Sequence, residues 1–181
     1  MDLPVKTRMA LWWDRSRGKN VRTELGLRKE QEPISNILVI LPKNPEHSAM
    51  ARIFIQSLQN AIGPKGRMQV RFVTMRQNLE YIDSAINDRL ITYSNEHVNR
   101  WGLPQKSFLD IVFTSRPHAV IDLNRDFDPI SASIVQHSKA PMRIGFYSEE
   151  KEKYYNILID GKDENYMDKG YQNIQQLLGL K

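Results

Sequence analysis

Asp122, Asp126 and Asp128 stand in a D-x-x-x-D-x-D pattern inside A-V-I-D-L-N-R-D-F-D-P, residues 119–129. Carboxylates gathered this way can ligate Mg²⁺ or Ca²⁺ through oxygen. Each also has a plainer role. Asp128 directly before Pro129 has the arrangement of a helix N-cap followed by proline at the first helical position. Arg125 can pair with a neighbouring aspartate. Asp122 falls inside a strand pattern, where a carboxylate is partly buried and needs a partner. No metal site is expected here. A second candidate is Glu46-His47, since a histidine that titrates near neutral pH beside a glutamate could form an acid–base pair. Adjacent residues at a helix start rarely face one substrate, however, and a carboxylate in a first helical turn favours the helix dipole. Dipole stabilisation and a solvated histidine are therefore the preferred reading, and no catalytic residue is assigned.

Other chemistries find little support. The chain of 181 residues contains no cysteine, which removes thiol nucleophiles, Cys-ligated metals and disulfides. His47, His97, His118 and His137 show no ligand spacing, so structural zinc is not expected. Neither a Walker-type loop nor G-x-G-x-x-G occurs, and Gly63-Pro64-Lys65-Gly66 reads as a turn after a helix; no cofactor is expected.

The elements that must position these residues follow a regular alternation. Ile37 to Leu41 is a continuous β-rich run, as in a strand covered on both faces. A helix is expected from Glu46 to Ile62, stopped at Gly63. Met68 to Val73 alternates as a strand, Leu79 to Ile86 reads as a short helix, and Arg89 to Tyr93 as a third strand. Pro104 opens a helix containing Phe108, Leu109, Ile111, Val112 and Phe113. Strand His118–Leu123, helix Ile130–His137, strands Met142–Tyr147 and Tyr155–Asp160, and a closing helix Tyr166–Leu178 complete the pattern.

This alternation predicts a three-layer α/β/α, Rossmann-like domain over residues 34–181, built on a mostly parallel sheet. In a 3-2-1-4-5 strand order, the loops Pro42–Ser48 and Asn124–Pro129 lie side by side at the carboxyl ends of their strands, where such folds bind ligands. The expected crevice is formed by Asn44, Ser48, Asp122, Asn124, Arg125 and Asp126.

Residues 1–33 form a basic arm, expected to be helical from about Pro4 to Lys29. The net charge is +5, and much of the excess sits here in Lys6, Arg8, Arg15, Arg17, Lys19, Arg22, Arg28 and Lys29. Met9, Leu11, Trp12 and Trp13 form an apolar cluster within it. Docking of the tryptophans onto the domain's own core or a partner is preferred, because large aromatics carry much buried area; snorkelling at a membrane surface is the alternative. The candidate partners are thus another protein, a dimer mate, or a peripheral membrane surface. No RNA-binding or helix-turn-helix signature accompanies the charge, so nucleic acid is not expected. The start lacks a signal-peptide apolar region, and no run approaches the roughly 20 apolar residues of a spanning helix, so a cytoplasmic location is expected.

N-I-L-V-I-L-P at residues 36–42, then a loop and helix, then A-V-I-D-L through R-I-G-F, resembles the N-terminal half of family 9 glycosyltransferases, the heptosyltransferases of lipopolysaccharide assembly. Asp122-Leu123 and Arg143-Ile144-Gly145-Phe146 match that family's V-I-D-L and R-I-G-F segments, and the resemblance spans roughly Asn36 to Ile159. Small proteins of the Bacteroidetes type are also similar, with a basic N-terminal helix, K-A-x-x-R-I-G-F-Y and Y-Y-N-I-L-I-D. The glycosyltransferase resemblance implies an acceptor-type domain within a GT-B architecture. It also exposes departures. The family's Gly-Asp, whose aspartate is its proposed base, reads Glu46-His47 here; the second-loop glycine reads Arg125; and the donor-binding domain is expected to be missing. A non-catalytic binding or assembly module is the expected function. A glycosyltransferase half-enzyme needing a separate donor-binding subunit is the alternative.

Overall fold

A computed structural model describes residues 3–17, 34–63, 68–160, 170, 172–174 and 176–178. Six strands form one parallel sheet in the order β3-β2-β1-β4-β5-β6: β1 Asn36–Ile40, β2 Gln69–Met75, β3 Leu90–Tyr93, β4 Ala119–Asp122, β5 Met142–Phe146 and β6 Ile157–Ile159. The α-helices with described bounds are α1 Val5–Arg17, α2 Ser48–Ile62, α3 Lys106–Val112 and α4 Pro129–Ser138. The expected Rossmann-like α/β architecture is what the chain adopts.

The alternation of side chains along β1 builds both halves of the core. Ile37, Val39 and Leu41 face one side, with Phe54, Ile55 and Leu58 of α2 and with Ile174 and Leu178 near the end of the chain. Leu38 and Ile40 face the other, with Phe108 and Val112 of α3, Ile134 of α4 and Leu11 of α1. Successive strand residues point to opposite faces, so a strand with helices on both sides must be apolar throughout. Val39 is fully buried and Leu38 is 1% exposed, which accounts for the unbroken I-L-V-I-L run.

Several expected boundaries shift for local reasons. The first loop does not enter α2 directly. A 3₁₀ turn, Pro45–His47, intervenes, with Asn44 as its N-cap. Gly63 ends α2 at φ 64°, a conformation that glycine adopts without steric cost. The short helix expected over Leu79–Ile86 is two 3₁₀ helices, Arg76–Tyr81 and Ser84–Arg89, separated where the Asp83 side chain caps the second. Pro104 does not open α3: it forms a bridge with Val98, and the helix begins two residues later. Asp128 caps α4 through Ser131 N at 2.9 Å, with Pro129 at the first position, as its dipeptide predicts. Tyr155 precedes β6 instead of starting it. Residues 18–29 of the expected arm helix, and Met167 and Tyr171 of the closing helix, lie outside the described residues; those described from 170 to 177 are helical.

The tryptophans do not dock on the domain's core. Trp12 is 65% exposed and Trp13 57%. The helical repeat explains the correction: α1 has one inward stripe, occupied by Thr7, Leu11 and Asp14, and the two positions after Leu11 rotate away from it. Arm docking therefore rests on Leu11, with Leu3 and Ala10 packed against the same core cluster, and on polar ties to α4. The Asp14 carboxylate lies 3.2 Å from His137 Nε2 and accepts from Ser133 Oγ at 3.3 Å.

Candidate functional site

Strand β4 delivers Asp122 to the carboxyl edge of the sheet, in register with Ile40 of β1 and Gly145 of β5. It is 1% exposed, so its charge must be met inside the protein. Tyr155 Oη donates to Oδ2 at 2.6 Å, and Lys151 Nζ approaches the same oxygen at 3.4 Å. Oδ1 accepts from the Asn124 backbone N–H at 3.0 Å and from Asn124 Nδ2 at 2.8 Å. Both oxygens are thus engaged by neutral donors and one buried cation.

Lys151 is completely buried. Its ammonium donates to the Asn124 carbonyl at 2.5 Å and lies 5.6 Å from the centre of the Tyr155 ring. Burial and the neighbouring Asp122 carboxylate push the Tyr155 hydroxyl well above its usual pKa, so it remains a proton donor to that carboxylate. Tyr93, which faces the same charges, is also raised, chiefly by burial and then by Asp128 and Asp122.

The network continues into both loops. Asn124 Oδ1 accepts from the Lys43 backbone N–H at 2.8 Å, and its Nδ2 also reaches Ser131 Oγ at 3.1 Å. Asp128 caps α4 and pairs with Lys43 Nζ at 3.3 Å. From the far side, Asn78 Nδ2 donates to the carbonyls of Pro42 and Lys43 at 3.2 and 2.9 Å. The two loops do meet, and a continuous set of buried and part-buried hydrogen bonds closes them onto each other. Such a set rigidifies because every member is satisfied.

Gly145, the glycine of R-I-G-F, belongs to this arrangement. A Cβ there would stand 2.9 Å from Cδ1 and Cε1 of the Tyr155 ring. The glycine leaves room for the ring to lie against β5, and that placement aims Tyr155 Oη at Asp122. The motif thus has a packing reason that its spacing alone does not reveal.

The expected crevice residues divide. Asp122 and Asn124 are in the buried network. Asn44 is exposed and caps the 3₁₀ turn, while Arg125 is half-buried and Asp126 exposed. Ser48 lines a small pocket with Thr74, Asn78, Arg52 and Tyr81; its volume of about 20 Å³ is room for roughly one water molecule. Thr74 is among the lining residues, and its buried Oγ1 has no hydrogen-bond partner among the described residues. Glu46 is exposed, with Oε2 accepting from Asn44 Nδ2 at 3.2 Å, and no hydrogen bond joins it to His47. The three aspartates do not converge: Asp122 and Asp128 hold different partners, and among the described residues no three His, Asp or Glu side chains gather as metal ligands.

Sequence reasoning missed Lys151, Tyr155, Ser131, Lys43 and Asn78. One signal was available, since a carboxylate in an apolar strand requires a buried donor or cation. Where in the chain that partner lies is a tertiary matter.

Beside the network, α1 and the loops after β4 and β5 enclose an open groove of about 630 Å³, whose walls include Arg8, Trp12, Arg15, Phe127, Lys153 and Tyr154. Phe127 and Tyr154 pack ring to ring at 5.7 Å. This groove, unlike the closed crevice, has room for a partner.

A family model described as a family of unknown function (DUF6913) matches residues 14–177. No curated protein and no solved structure matches the chain.

Proposed function

The chain belongs to the DUF6913 family of unknown function, and from that premise we propose that it is a non-catalytic binding or assembly module. In this reading it is a relative of the family 9 glycosyltransferase acceptor domain. One observation carries the proposal: the edge of the sheet where this fold would hold a substrate is filled by the chain's own buried network. Asp122 is 1% exposed and Lys151 not at all. A general acid or base must come within hydrogen-bond reach of its substrate, and among the described residues Asp122 and Lys151 are engaged by each other, Tyr155 and Asn124. Glu46 and His47, standing where the glycosyltransferase base would be, are not coupled to each other. The contact surface then lies elsewhere, on α1 and the groove beside it.

Calorimetric titration with nucleotide-sugars is the test. The expected result is no saturable heat and no sugar transfer to an acceptor. Reproducible binding followed by transfer, by the chain alone or with a donor-binding subunit, would overturn the proposal and restore the half-enzyme reading.

A further inference from the structure

The inward and outward faces of α1 differ in kind. Inward are Thr7, Leu11 and Asp14, and the Asp14 carboxylate is held against His137 and Ser133 of α4. Outward, at i, i+4, i+7 and i+8, run Val5, Met9, Trp12 and Trp13, exposed by 69%, 64%, 65% and 57%. These spacings place the four on one stripe of the helix. Lys6 flanks the stripe on one side, and Arg8 and Arg15 on the other. Asp14 is the sole acidic residue of the helix, and it points inward. The outward surface therefore combines exposed aromatic area with charge of one sign. On the groove side Lys153 adds a further cation, with Glu150 the acidic residue among the lining groups.

We propose that this face of α1 is a peripheral docking surface for an anionic lipid bilayer. The inference rests on the reading of the chain as a binding module and names the module's partner. Charge complementarity selects the occupant. A second copy presented face to face would oppose Lys6, Arg8 and Arg15 with the same cations. An anionic bilayer offers negative headgroups to the basic flanks and an interfacial layer to the tryptophans, whose amphipathic rings favour that depth. The helix lies on the surface and does not cross it: no described helix is long and apolar enough to span. Docking would seat the groove, with Phe127 at its wall, against the headgroup layer.

Co-sedimentation with vesicles tests this. The full chain should pellet with vesicles of phosphatidylcholine and phosphatidylserine mixed three to one, and remain in solution with pure phosphatidylcholine. Raising salt should weaken the association, because surface charge attraction is screened. The double variant Trp12→Ala/Trp13→Ala should bind at least tenfold more weakly, and so should Lys6→Glu/Arg8→Glu. These side chains are exposed, and an unchanged thermal midpoint will show that each variant is folded. Absence of pelleting, or undiminished pelleting of either folded variant, would overturn the lipid assignment. A salt-sensitive dimer in ultracentrifugation that Trp12→Ala/Trp13→Ala dissolves would overturn it in favour of a second copy. Sugar transfer in the calorimetric experiment would instead remove the module reading and leave the vesicle result standing, so the two failures are distinguishable.

Discussion

At the residue scale, Asp122 is held by what surrounds it. Its charge is balanced by Lys151, while Tyr155 and Asn124 fill its remaining acceptor sites. Burying two charges is costly, and such a pair persists only where further hydrogen bonds complete it. Tyr155 reaches the pair because Gly145 leaves room for its ring. Gly145→Ala should therefore destabilise the fold by about 1–3 kcal/mol through overpacking, measured by urea unfolding. The same change in a Tyr155→Ala background should cost much less, since the space it needs is then vacant. Equal costs in both backgrounds would detach the glycine from the tyrosine. Tyr155→Phe should cost roughly 1–2 kcal/mol, the loss of one hydrogen bond to a charged acceptor that keeps its other partners.

At the element scale, the junction between β4 and α4 carries the organisation. The chain leaves the strand at Asp122, turns through Asn124, and enters the helix at Asp128 with a cap, a proline and a serine that also bonds the cap. Asp128→Ala should cost about 1–2 kcal/mol, seen as a lower urea midpoint, and Asp128→Asn or Asp128→Ser should recover most of it because either can still accept from Ser131. Recovery by neither would mean that the Lys43 ion pair outweighs the cap. Much of this junction was readable directly: Asp-Pro after an apolar strand is a local signal with a local cause. The β1 run and the stop at Gly63 were readable in the same way. The two 3₁₀ helices between β2 and β3 were not, because a cap at Asp83 decides their division and the apolar spacing there fits either structure.

At the scale of the whole molecule, the arm is fastened to the body through a titratable contact. His137 is raised above its ordinary value of 6.5, first by its hydrogen bond to Asp14 and further by the Ser133 carbonyl, against partial burial and the cation of Lys139. A group whose pKa is higher folded than unfolded stabilises fully below the unfolded value, and that contribution is lost as pH rises through the folded one. Stability should accordingly fall from about pH 6.5 upward, across the window opened by the raised value. The effect should be modest, because the His137 side chain is 39% exposed and solvent screens the pair. Urea midpoints measured through that window should slope downward in the parent and stay flatter in Asp14→Asn. Matching slopes would show that this ion pair does not fasten the arm. Loosening α1 from α4 at higher pH would also free the helix that carries the proposed docking face.

What the sequence determined by itself was whatever local chemistry dictates: the strand and helix alternation, the parallel three-layer sheet with β1 beside β4, the cap at Asp128, and a basic arm containing tryptophans. What only the tertiary structure decided was the meaning of the charged stretch after β4 and the direction of the arm's faces. Lys151 and Tyr155 lie about thirty residues from Asp122, and no periodicity relates them; the crossover from β4 through α4 and β5 brings them under its carboxylate. Likewise the composition of α1 is apolar on two sides, and the sequence could not say which side would be covered. Contact with α4 settles it, because Asp14 finds His137 there and turns Leu11 inward, leaving Trp12 and Trp13 outside.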